Sequence, residues 1–78
     1  MLPGFAQDCT IATAAGAAAT VAIPVGGIKA TSTILAIIRH KASEAAAGVD
    51  VTDFTAAAGT ITGATISTAT YNLIVIYN

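Results

Sequence analysis

The chain has 78 residues and a formal net charge of −1, and only 9% of its residues are Asp, Glu, Lys or Arg. That length allows one small domain, and so balanced a charge gives no steering field toward nucleic acid or an anionic membrane. A single cysteine, Cys9, and a single histidine, His40, exclude an intrachain disulfide and a structural zinc site.

The hydrophobic fraction is 55%, with alanine and ten isoleucines as its largest parts. A domain of this size buries only about 60% of the surface its unfolded chain exposes. Charge this sparse is also low for the surface of a free monomer. The surface must be Thr, Ser, Ala and Gly, or it must be covered by other chains. Copies of the same chain are the first expected partner.

Residues 1–8, with Pro3 and Gly4, read as an extended arm ahead of a single β domain at 9–78. Leu2 and Phe5 make the arm apolar enough to dock on a partner. No basic segment precedes an apolar run, so a signal peptide is not expected. In "CTIATAAGAAATVA", Cys9 to Ala22, alanine favours a helix, while Gly16 and three threonines oppose it. Alternation of Cys9, Ile11 and Thr13 with Thr10, Ala12 and Ala14 predicts one strand. "ATVAI", Ala19 to Ile23, predicts a second after a turn near Gly16.

Pro24 and the Gly26–Gly27 pair mark a turn. They also interrupt residues 11–38 as a membrane span, and no run of 18 apolar residues exists, so no membrane partner is expected. "TSTILAIIRHK" then predicts a strand with Ile34, Ala36 and Ile38 on one face and Leu35, Ile37 and Arg39 on the other. "SEAAAG" reads as one helical turn from Ser43 to Gly48, or equally as part of a long hairpin loop. Around Gly63, Thr60, Thr62 and Thr65 alternate with Ile61, Ala64 and Ile66, as in a half-exposed strand with a bulge or turn. The final strand is "YNLIVIY", 71–77, apolar on both faces.

Five to seven short strands separated by turn signals every 8–12 residues or so predict an all-β fold, a small antiparallel sandwich or barrel. Strands 33–39 and 71–77 should be central neighbours. One face of each would fill the core. The other, Leu35 and Ile37 with Ile74 and Ile76 or the converse set, needs a cover that a second subunit would supply.

Chemistry-bearing clusters are sparse. Asp50 and Asp53 in "VDVTDF" are the one close acid pair. Two carboxylates could serve general acid–base work or calcium, but no supporting group stands nearby in sequence. As turn formers, with Asp53 capping through its side chain, they need no further role. Arg39, His40 and Lys41 could grip phosphate or an acidic patch, or could simply form a solvated strand end that blocks edge pairing. Cys9 would need His40 as its activating base, and nothing in the sequence places them together. "VGGIK" lacks phosphate-loop spacing, and four aromatics without tryptophan offer no base-stacking platform. An enzyme is not expected, and no cofactor is implied.

"TILAIIRH", a loop, and then "GVDVTDFTAAAGTITGATISTATYNLIVIYN" resemble small β-rich structural proteins encoded among the head genes of tailed bacteriophages. The resemblance spans roughly residues 30–78. It rests on Val51–Thr55, Gly59–Thr62 and Leu73–Tyr77 in that order and spacing. "STAT" and the alanine-rich 42–48 segment depart from it. The resemblance implies a capsid decoration, or cement, subunit of the virion exterior, made in the host cytoplasm. Such subunits often form trimers that clamp neighbouring copies of the major capsid protein. On that view Leu2, Phe5, Arg39 and Lys41 dock the shell, and Leu35, Ile37, Ile74 and Ile76 join subunits. A subunit of an open polymer, such as a tail tube or filament, is the alternative. A small membrane-active peptide would require residues 11–38 to be helical.

Overall fold

A computed structural model describes residues 9–78; Leu2, Phe5 and the rest of the expected arm lie outside the described residues. Seven strands form: β1 (Thr10–Ala15), β2 (Ala22–Pro24), β3 (Ile34–Lys41), β4 (Glu44–Val49), β5 (Phe54–Ala57), β6 (Thr60–Gly63) and β7 (Asn72–Tyr77). A single 3-10 turn, Val51–Asp53, precedes β5. The fold is all-β. One antiparallel sheet has the order β1-β7-β3-β4, the other β2-β6-β5.

The two sheets close on one core, made of Ile37, Leu73, Val75 and Tyr77 from the larger sheet and Ile23, Phe54 and Ile61 from the smaller, with Val25 and Ile28 beside them. Side chains on a strand alternate between faces, so Leu73, Val75 and Tyr77 of β7 point inward while Ile74 and Ile76 point away. The expected pairing of the two long apolar strands is present: β3 and β7 are direct neighbours at the centre of the larger sheet.

Two elements differ from the sequence expectation, and a third has none. The "SEAAAG" segment is neither helical turn nor loop but most of β4. Six residues are too few to repay helix nucleation, and a two-residue turn, Ala42–Ser43, returns the chain so that Glu44 lies opposite Lys41 and the backbone is satisfied by β3. The second strand is shorter and later than 19–23, because Ala18–Val21 closes a turn first, with Val21 N–H donating to Ala18 O. Phe54–Ala57, which carries little strand signal beyond one phenylalanine, pairs with β6 through a turn at Ala58–Gly59. With strands at 10–15, 22–24 and 34–41, residues 11–38 are not the helix that a membrane-active peptide requires. Among the described residues, no helix is long and apolar enough to cross a membrane.

Glycine is required where chain meets chain. Gly16 lies against the 67–71 segment, where a Cβ would come within 2.0 Å of the Thr68 carbonyl oxygen. Thr68 is itself buried; its hydroxyl accepts from Ala17 N–H at 3.1 Å, and its own N–H donates to Ala17 O at 2.9 Å. Gly27, at φ +82°, leaves room for the Tyr77 hydroxyl, which donates to Gly26 O.

Candidate interaction surface

The face of the larger sheet that points away from the core is built row by row from strand register, since residues directly opposite in an antiparallel pair share a face. One row runs Ile11, Ile76, Ala36. The next runs Thr13, Ile74, Ile38, Gly48. A third, Ala15, Asn72, His40, forms a polar margin. The first two rows carry no charged side chain. Ile11 is 69% exposed and Leu35 45%, and Ile38, Ile74 and Ile76 are half-buried.

Of the four residues expected at a subunit interface, Ile74 and Ile76 stand on this face, and Ile37 does not. Ile37 is 1% exposed, lies opposite Val75 and belongs to the core. The reason is a bulge. The β3–β7 register shifts between Ile34 and Ala36, so two residues, Leu35 and Ala36, oppose Ile76 alone. One inserted residue reverses the alternation beyond it. Ile38 therefore takes the outward place that simple counting gives to Ile37, and Leu35 remains exposed. Ile11 also belongs here, and its sequence signal is weak because its strand is otherwise alanine and threonine.

Arg39 and Lys41, expected to dock a shell, are gathered at one end of β3 around Tyr71. The Arg39 guanidinium lies 4.8 Å from the Tyr71 ring centroid, and the Lys41 ammonium 4.5 Å. Lys41 also pairs with Glu44 at 3.0 Å, and the Tyr71 hydroxyl donates to the same carboxylate at 2.7 Å. The hydroxyl, then Lys41, hold the Glu44 carboxyl below its ordinary range. Cation–π contact and ion pairing here tie the β3–β4 hairpin to the start of β7.

The capping role expected of Asp53 falls instead to Asp50. Asp50 caps the 3-10 turn, accepting from the Thr52 hydroxyl at 2.6 Å and its N–H at 3.0 Å. Asp53 reaches across to another loop, accepting from the N–H groups of Ile66 and Thr65 at 3.0 Å and the Thr65 hydroxyl at 2.8 Å. These donors lower the pKa of both carboxyls.

Cys9 is exposed and adjoins Thr10, which lies opposite Tyr77, whereas His40 lies opposite Asn72. The two are separated by the length of β7, on the order of 17 Å. Among the described residues, no group of three or more His, Cys, Asp or Glu side chains gathers to hold a metal.

No protein-family model, no curated protein sequence and no solved structure matches the chain.

Proposed function

We propose that the protein is a non-enzymatic structural subunit of a tailed-phage virion, a capsid decoration protein that assembles with its own copies and stabilises the head shell. The observation that carries the self-assembly is the uncharged outer face of the larger sheet, where Ile11 is 69% exposed and Ile38, Ile74 and Ile76 are half-buried on the side turned away from the core. Contiguous apolar surface of this kind marks an interaction site. The placement on a phage head comes from the resemblance of residues 30–78 to head-gene products. The mechanism is burial: each subunit seats its isoleucine face against a neighbour, and the shell gains a modest increment at every lattice position. A trimer is the favoured closed form.

A tail-tube or filament subunit is the second reading, favoured by two six-residue edges of the same sheet that no other segment among the described residues pairs. Native mass spectrometry at low micromolar concentration, followed by co-sedimentation with tailed-phage shells stripped of decoration protein, tests both. A closed trimer that binds shells is the expected result. A ladder of growing polymers turns the assignment to a tube or filament, and a lone monomer that ignores shells overturns both.

A further inference from the structure

The two sheets treat their edges differently. The smaller sheet ends in β2, three residues long and carrying Pro24, and in β5, four residues long. Short edges and proline are the ordinary means of stopping edge-to-edge pairing. The larger sheet ends in β1 and β4, each six residues long and neither containing proline. Their one charged residue, Glu44, is held by Lys41 and Tyr71 at the hairpin end. Among the described residues, no other segment donates to or accepts from the outward backbone groups of Thr10–Ala15 or Glu44–Val49.

Strand direction points the same way. Every neighbouring pair in the order β1-β7-β3-β4 is antiparallel, so β1 and β4 themselves run in opposite directions. A second copy placed beside the first in the same orientation brings its β1 antiparallel to the first copy's β4. Side-chain size also fits. β4 is mostly alanine and glycine, and β1 brings Ile11, Thr10 and Thr13. A β4–β4 pair would set small residues against small residues. A β1–β1 pair would leave both β4 edges open.

From this we infer that copies of the chain join head to tail through their backbones, β4 of one subunit pairing with β1 of the next to make a continuous intersubunit sheet. This rests on the reading that the chain assembles with itself, and it names the strands that do so. Each joint carries the isoleucine rows of one subunit into those of its neighbour. Such an interface is heterologous, so the rotation per subunit decides between a closed ring and an open filament.

The test combines native mass spectrometry with amide hydrogen exchange of the wild-type protein below and above its assembly concentration. Assembly should slow exchange in both 10–15 and 44–49, while β2 and β5 stay unchanged. Two variants, Ala47→Pro and Gly48→Pro, add a structural control. Adjacent N–H groups point to opposite sides of a strand, so one substitution blocks only the open side of β4. The other removes a bond to β3. The variant that stays folded should assemble roughly a hundredfold more weakly. If the wild type assembles while the β1 and β4 amides keep their monomer exchange rates, the edge pairing is wrong and self-assembly stands. A folded proline variant that assembles normally likewise rules out the edge pairing. A wild type that remains monomeric throughout removes both. The exchange comparison decides the matter even if both variants unfold.

Discussion

Ile74 and Val75 are neighbours in the chain and belong to opposite sides of β7: Val75 has no exposed surface and lies opposite Ile37, and Ile74 is half-buried on the outer face opposite Ile38. One strand thus serves two apolar environments, the chain's own core and the outer face of the larger sheet.

The two positions should respond differently to the same charge. Val75→Asp places an unpaired carboxylate in a closed core, at a cost of several kcal/mol, and the domain should fail to fold. Ile74→Asp should leave thermal unfolding near wild type and lower the assembly state. Circular dichroism and native mass spectrometry separate these results. Unfolding of both variants alike would remove the distinction between the two faces.

Glycine substitutions should diverge in the same way. Gly16→Ala drives a methyl group into the Thr68 carbonyl and should destabilise by about 1–3 kcal/mol or more. Gly48→Ala meets nothing within 4 Å and should stabilise β4 by about 0.5–1 kcal/mol. For a domain of this size each kcal/mol moves the melting temperature by about 4–8 °C, so calorimetry resolves both.

Two threonines occupy glycine-like backbone positions. Thr20 has φ 67° and Thr70 φ 74°, each at the third place of a turn closed by Val21 N–H to Ala18 O and Tyr71 N–H to Thr68 O. A β-branched side chain in the left-handed region is costly. Thr20→Gly and Thr70→Gly should each stabilise by about 1 kcal/mol, measured as a raised urea midpoint at an unchanged m-value. A loss of stability would mean that the threonine side chains make contacts that outweigh the backbone strain.

Acid should weaken the fold through three carboxyls. Asp53 is held below its ordinary range first by Ile66 N–H and then by Thr65, Asp50 by Thr52, and Glu44 by Tyr71 and then Lys41. Because the folded pKa values are depressed, the stability they contribute is fully present above the ordinary carboxylate range, around pH 4. It is lost as pH falls through the lowered values. Thermal midpoints should therefore be flat near neutrality and drop below about pH 4, with a shallower drop in Asp53→Asn.

The sequence made the centre of the larger sheet legible and obscured its margins. β3 and β7 announce themselves because isoleucine, leucine and valine fill both faces of each. Which face is which could not be read, since the bulge at Leu35 depends on how β3 lies against β7, a contact distant in sequence. β4 was hidden because alanine favours a strand only when a neighbour imposes it. Ile11 joins the outer face only through its register with Ile76. The sequence pointed to Asp53 as the cap, whereas Asp50 caps and Asp53 reaches Thr65 and Ile66, which lie beyond two intervening strands.

The position of β7 between β1 and β3 has a kinetic consequence. The β3–β4 and β5–β6 hairpins close through two-residue turns and can form early, on the order of microseconds. Among the described residues β1 pairs with β7 alone, Thr10 opposite Tyr77, across nearly the whole described chain, and contacts so remote slow folding. Until β1 arrives, β7 offers a vacant side that β1 of another molecule fills equally well. Refolding at high concentration should thus produce strand-exchanged dimers that persist after dilution, a species whose yield depends on the speed of folding and not on the affinity of the finished surfaces.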